Sequence, residues 1–435
     1  MNETHRSARI RFICLILVLA SFSLFAGFAG GDDGYSEPGF YREYWAEWNE
    51  TVTNHPGRLR VNDPDVSLDE RWGRRSEALT NGLMLVNVPE DLFLLDSAVL
   101  YLELWGGHPG TTDKRFTLNG KRCYHIPPCG TEENHCTYSY PAVTLEVGHL
   151  VRGVNAFQFA CDRGEGFWGH FIVDNAAVRC RLRDDHPDIA ENGLNGFSAE
   201  VAFAGEGKTL DDKVSLVLNY PHKYETEILS VDFFGRYHDY DDDGDGEWND
   251  WHGFTFNREP VNHIGTASQP PFEVTWATSM LPDQTGPMAV KAIARFRCGL
   301  IYATPVLDGL SLAADRARVE IVSCTSMPVP FWSRASREKT AVITLPENLD
   351  SLERVMLVVK TWDGGQGAID GHFTINGHPY GIVSGQSIHD VVFTRTTVDP
   401  SHVKAGENTL RLLSDTEHHG IEVLLPGPCF ILKFR

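Results

Sequence analysis

Basic residues are scarce in this chain: Lys and Arg number 38 against 59 Asp and Glu, a formal charge of -21 with a pI near 5.2. An excess of negative charge repels nucleic acid and anionic membranes at long range, so neither is expected as a partner, while divalent cations and neutral ligands stay open. Long apolar runs are missing as well. Beyond Gly30 no stretch approaches the ~20 apolar residues that a membrane span requires. No G-x-S-x-G elbow, H-E-x-x-H helix, P-loop or dinucleotide fingerprint appears, so no enzyme class is declared by a short motif. A sustained 3.6-residue apolar period is also lacking, which excludes a helical architecture.

At the N-terminus, three Arg (Arg6, Arg9 and Arg11) stand at the start of an apolar run from Ile10, followed by small residues ending near Ala29. This is the layout of a secretory signal peptide, expected over 1–29, and it implies a secreted, periplasmic or cell-surface protein. Nine Cys then fall to eight, an even number suited to disulfides in an oxidising compartment. Cys123, Cys129, Cys136, Cys161 and Cys180 lie close together in sequence, and a disulfide-stapled loop is expected there. Their spacings miss the short pattern of structural zinc sites.

Two distant stretches share landmarks in the same order. RWGRRSEALTNGLMLVNVPEDLFLLDSAVLYLELW, FTLNGK and LVRGVNAFQFACD recur as FWSRASREKTAVITLPENLDSLERVMLVVKTW, FTINGH and VKAGENTLRLLSD. Trp72 matches Trp332, Trp105 matches Trp362, Asn119 matches Asn376, and Asn155 matches Asn408. Four ordered matches indicate a duplicated unit. Alternations such as AVLYLELW and VMLVVKTW read as half-buried strands, and the Asn-Gly pairs read as hairpin turns. An all-β protein is therefore expected.

The Asn-Gly turn followed by Arg152-Gly153-Val154-Asn155, or by Lys404-Ala405-Gly406-Glu407-Asn408, resembles the jelly-roll sandwiches called galactose-binding-like domains. Those recur as carbohydrate-binding modules and as accessory domains of glycoside hydrolases. Between the copies, KVSLVLNY, ILSVDFFGRY, PFEVTWATSML and MAVKAIARF, with Trp276 inside an alternation, resemble an immunoglobulin-like sandwich without the antibody disulfide. The expected order is an irregular arm over 30–70, a jelly roll over 71–187, an immunoglobulin-like sandwich over 195–322 and a second jelly roll over 325–435.

Residues 239–252 read DYDDDGDGEWNDWH, with six Asp, one Glu and no Lys or Arg. Alternate residues of a tight loop point inward, so several carboxylate oxygens can converge on one Ca²⁺ while Gly permits the bend. Asp239, Asp241, Asp243, Asp245 and Asp250 are the expected ligands. The preferred register starts at Asp239, with Gly244 turning the chain and Asp250 closing it; a second starts at Asp241.

Sandwich domains hold sugars with aromatic faces, carboxylates and amides on loops. The loops that follow the G-x-N strands supply Glu165, Trp168 and His170 in the first copy and Glu417, His418 and His419 in the second. These are the candidate ligand-binding residues for a carbohydrate or another extracellular polymer. The reading favoured by sequence is a non-catalytic glycan-binding protein with a structural Ca²⁺. The alternative is a glycan-active hydrolase with its site between the two copies, since secreted peptide-N-glycosidases are also built as double jelly rolls.

Overall fold

A computed structural model describes residues 34–46, 59–62, 82–107, 110–129, 136–163, 170–203, 207–334, 337–364, 371–382, 390–414 and 420–435. The fold is all-β, with only short helical turns such as Pro187–Glu191 between the strands. Its sheets pack as sandwiches, as the alternating sequence pattern requires.

The duplication is visible in the strand order. Leu83–Val88, Gly153–Arg163, Thr111–Leu118 and Arg122–His125 form a four-stranded antiparallel sheet. Lys339–Leu345, Gly406–Leu412, Phe373–Ile375 and His378–Pro379 repeat it in the same order. On the opposing sheets, Leu95–Trp105 lies between His170–Leu182 and Ala142–Leu145. Its counterpart Leu352–Asp363 lies between Cys429–Phe434 and Asp390–Val398.

The Asn-Gly turns are braced by the same bonds in both copies. Asn119 and Asn376 sit at positive φ, 50° and 49°, as such a turn demands. Asn119 Nδ2 donates to His149 O and to Asn155 Oδ1, at 3.0 and 2.8 Å. Asn376 Nδ2 does the same to His402 O and Asn408 Oδ1, at 2.9 and 2.8 Å. Asn155 and Asn408, both fully buried, each donate to two backbone carbonyls of the preceding turn. A Tyr–His pair, Tyr124 with His149 and Tyr380 with His402, closes each motif at 2.7 Å.

The residues read from sequence as an irregular arm contain a strand. Gly39–Trp45 pairs with His170–Leu182 on one side and Ile301–Ala303 on the other, joining the first sandwich and the central region in one sheet. Its alternation is hidden because an inner position carries Glu43. That carboxylate is buried and bound by Arg179 at 2.8 Å, by the Trp45 indole at 2.9 Å and by the Tyr35 hydroxyl. Burial works to raise its pKa, but Arg179 and Arg295, the latter at 3.7 Å, together draw it below the usual carboxylate range. One apolar core accordingly runs through the first sandwich and the central region, from Met84 and Phe159 to Phe233 and Val290. The second copy has its own core around Phe331, Leu357 and Phe430.

In the central region, Glu200–Phe203, Lys213–Asn219 and Glu273–Ala277 form a three-stranded sheet, and Trp276 is buried against Tyr237. The expected cysteine staple is corrected. All eight cysteines among the described residues are free thiols. Cys161 and Cys180 point into the first core as small apolar residues, and Cys429 is buried at the second copy, so burial rather than pairing accounts for them. The expected signal peptide lies outside the described residues. Among the described residues no helix is long and apolar enough to cross a membrane.

Candidate active site

Partners across an antiparallel ladder point to the same face, so register shows what each sheet presents. In the second copy, Trp332 pairs with Glu422, Glu422 with Trp362, and Trp362 with Val391, which gives one row of side chains. In the first copy, the equivalent row is Ile172, Trp105 and Tyr138. Two residues before each Trp, on the same face by the strand period, stand Glu103 and Lys360. The two rows meet. Tyr101, Trp105, Tyr138, Tyr140, Phe254, Val391 and Leu424 form one buried cluster, edged by the half-buried Trp45, Ile172, Phe256 and Trp362.

Glu422 lies within this seam, 4% exposed, on the second copy but facing the first. Burial pushes its pKa up to about 7, against hydrogen bonds from the Cys136 thiol and the Trp105 indole that favour the charged form. It is therefore a carboxyl that holds or releases a proton near neutral pH. Such a group is suited to donating a proton to a leaving oxygen or nitrogen. The same burial pushes the Cys136 thiol far upward, which makes that sulfur a poor nucleophile.

Two further acids belong to the seam. Glu103 is bound by four donors: Thr255 Oγ1 at 2.6 Å, Asn175 Nδ2 at 2.8 Å, Arg258 N at 2.9 Å and Asn257 N at 3.1 Å. A carboxylate so saturated has no lone pair left for chemistry. It clasps the Asn257-Arg258 turn of the central region onto the first sandwich. Asp174, on His170–Leu182 beside a bulge, accepts from the Tyr138 hydroxyl at 2.9 Å.

Lys360 is buried at the corresponding position of the second copy. Its ammonium donates to Asp242 O, and to Tyr138 O and Tyr140 Oη at 3.4 Å. Burial depresses its pKa, opposed by the nearby carboxylates of Asp242, Asp243 and Asp241. The acidic loop is thus wedged between the copies. Gly244 packs against Leu425 where a Cβ would meet its carbonyl oxygen at 2.8 Å, and Cys129 Sγ donates to Asp243 O at 3.0 Å.

Within that loop, Asp241, Asp243 and Asp245 offer carboxylate oxygens within 4.8 Å of one another. The N–H groups of Gly244, Asp245 and Gly246 all donate to Asp241. This is the second of the two sequence registers. Asp239 is not brought in, because its Oδ2 accepts from Arg395 at 2.7 Å. Asp250 is close enough to feel Asp245 and Asp241, and burial and those neighbours raise it to about 7. Asp243 is raised strongly by burial and by Asp245, Asp241 and Asp250.

Of the ligand residues chosen from sequence, Glu165, Trp168, Glu417, His418 and His419 lie outside the described residues. His170 is buried, its ring 5.5 Å from that of Trp105. Sequence reasoning missed Glu422, Lys360 and Glu103. The signal was present in LELW and VKTW, where a charge two residues before the Trp must share its face.

No known family's sequence profile matches the chain, and no curated protein matches it. Solved structures do. One is a β-porphyranase of glycoside hydrolase family 86 from the human gut bacterium Bacteroides plebeius, at 11% identity and a TM-score of 0.24, covering 54% of this chain and 36% of that one. Two others are BuGH86 in complex with neoagarooctaose: a single-substitution variant at 12% identity and a TM-score of 0.24, covering 55% of this chain and 33% of that one, and the wild type at 12% and 0.24, covering 60% and 34%. The chain thus spans about a third of their length. These findings turn against the expectation of a non-catalytic glycan binder, because the proteins matched are glycoside hydrolases. That expectation is therefore corrected, and the hydrolase alternative stands as a proposal only. A likeness of this degree transfers no activity or substrate, so the chemistry must rest on the seam's own residues.

Proposed function

We propose that the chain is a glycan-active hydrolase whose reaction centre lies at the seam between the two copies. The observation that carries this reading is Glu422, a buried carboxyl raised to about 7, packed in an aromatic seam beside Trp105, Trp332 and Trp362. Aromatic faces stack on the C–H groups of a sugar, and a raised carboxyl protonates the leaving group. Asp174 is the second carboxylate in this reading, acting on the sugar or on water, while Glu103 holds the first sandwich and the central turn in register. The partner is accordingly a carbohydrate, encountered outside the cytoplasm.

The test is product release from a panel of neutral polysaccharides and glycopeptides. Wild-type protein is expected to release reducing sugar or free glycan from at least one member. Glu422→Gln, which keeps the shape and removes the proton donor, is expected to lower that rate by at least ~100-fold. Equal rates for the two proteins would remove Glu422 from the mechanism, and silence across the panel would remove the hydrolase.

The acidic loop is read as a structural Ca²⁺ site, with Asp241, Asp243 and Asp245 as ligands and Asp250 close by. Three converging carboxylates, two of them buried, offer hard oxygens to a dication. Asp245, raised to about 6, and Asp250, raised to about 7, bind protons in the fold that they would release unfolded. Without a cation this lowers stability as pH rises from the ordinary carboxylate range through 7. Chelation is therefore expected to lower the melting temperature, and to do so more at pH 8 than at pH 5, with recovery on adding Ca²⁺. A melt indifferent to chelator at both pH values would contradict the site.

A further inference from the structure

The margin of the seam carries two cations that no acid answers. Strand Phe331–Ser333 runs beside Ile421–Val423, so Trp332 is the ladder partner of Glu422, and Arg334 follows two residues on, on the same face. The chain then turns back, with Arg337 N donating to Arg334 O at 2.9 Å. Arg334 is half-buried, its guanidinium 3.7 Å over the Trp332 ring, and Arg337 is exposed. Among the described residues no carboxylate pairs with either side chain, and the adjacent Glu338 is turned to Arg411 at 3.3 Å. Burial, and then the charge of Arg337, hold the pKa of Arg334 below the usual arginine value, and no carboxylate offsets them. Arg179 and Arg395, by contrast, are paired with Glu43 and Asp239.

The first copy closes the equivalent corner. There His170, two residues before Ile172, lies on the Trp105 face with its ring 5.5 Å from that of Trp105. The matching residue of the second copy, two before Glu422, is Gly420. A Cβ at that position would run into Ser333 O and meet Arg334 Cγ at 3.1 Å. No side chain can stand there, so this strand leaves the stack of Arg334 on Trp332 uncovered.

We infer that Arg334 and Arg337 form a subsite for an anionic sugar unit, whose carboxylate or sulfate sits on the two guanidinium groups beside Trp332 while its neighbour enters the seam at Glu422. A guanidinium donates in pairs to such oxygens, and the indole beneath Arg334 holds its fork in one plane. At ~0.15 M salt the screening length is about 8 Å, so this local pair, rather than the net charge of -21, decides what a ligand meets here. The inference rests on the seam as the reaction site and adds a class of glycan to it. Neutral glycans enter the seam without using the subsite.

Calorimetric titration of the full chain with trigalacturonate, a sulfated galactotriose and neutral galactotriose tests it. At least one charged sugar is expected to bind about tenfold more tightly than the neutral one or better, and comparing the two acids separates carboxylate from sulfate recognition. Arg334→Gln is expected to weaken that sugar about tenfold and Arg337→Gln about threefold. Arg122→Gln, which removes an exposed cation of the first copy, is expected to change nothing. Should Arg334→Gln fail to fold, Arg337→Gln, at an exposed position, decides alone. No binding of either acid, equal affinity for the neutral sugar, or binding unchanged by Arg337→Gln or by a folded Arg334→Gln would each overturn the inference. Hydrolysis is scored apart from binding. A chain that holds the acid through Arg334 but cleaves nothing keeps the subsite and loses the hydrolase. One that cleaves neutral glycans, while Arg334→Gln leaves binding of the acid unchanged, keeps the hydrolase and loses the subsite.

Discussion

The strands Leu95–Trp105 and Leu352–Asp363 occupy the same place in the two copies, and one position on them carries opposite charges. Glu103 is saturated by four donors from the first sandwich and the central turn. Lys360 reaches across the seam to Asp242, Tyr138 and Tyr140. One row away, Ile172 in the first copy stands where the second has Glu422. The turn-bracing asparagines, by contrast, make the same bonds to within about a tenth of an ångström. The copies have kept what folds a sandwich and diverged where they face each other. Divergence at the shared face is what the proposed site between the halves would need.

The largest expected effect is on turnover. Glu422→Gln should abolish hydrolysis, whereas Ile172→Val, at the matching position, should leave it within about twofold. The same Glu422→Gln change should raise stability. A carboxyl whose pKa rises from an unfolded value near 4.5 to about 7 destabilises the fold as pH climbs through that window. Denaturation at pH 8 should thus show the variant more stable than wild type by on the order of 2 kcal/mol, with the difference vanishing near pH 4.

Next in size is the charge inversion. Lys360→Met removes the buried ammonium and leaves the neighbouring Asp241–Asp243 carboxylates uncompensated, an expected loss of about 3 kcal/mol. Glu103→Gln replaces one acceptor oxygen by a donor facing another donor and should cost about 2 kcal/mol. Urea melts of both variants measure these losses. If Lys360→Met proves neutral, the seam is not held by that contact.

The conserved half of the comparison predicts equality. Asn155→Ala and Asn408→Ala each delete a buried amide with the same set of bonds, so each should cost about 2 kcal/mol. A difference above about 1 kcal/mol between them would mean that the copies are less alike than their bonding suggests.

The copies were legible because each hairpin turn and its brace carry a short local signature, Asn-Gly with its positive φ and G-x-N. The bracing asparagine follows 36 residues later in the first copy and 32 in the second. The seam was less legible, because it depends on two sheets meeting face to face, which period 2 alone does not specify. Period 2 puts Glu103 on the face of Trp105 and Lys360 on that of Trp362, a signal that the loop-centred reading passed over. Attention to loops, where sugar-binding residues gather, drew the choice to Glu417 and His418 and past Glu422 a few residues on. The strand Gly39–Trp45 was hidden for a related reason: its inner Glu43 is paired with arginines from two other strands, so a charged core position imitated irregular chain. In the acidic loop two registers overlapped, and the contact between Asp239 and Arg395, 156 residues away, separates them.

The most direct measurement is a crystal structure of Glu422→Gln with an oligosaccharide from whichever glycan the wild type cleaves. The account predicts a sugar ring against Trp105 or Trp362 with the scissile atom in reach of residue 422 and of Asp174. An oligosaccharide bound elsewhere, with the seam closed and empty, would contradict it.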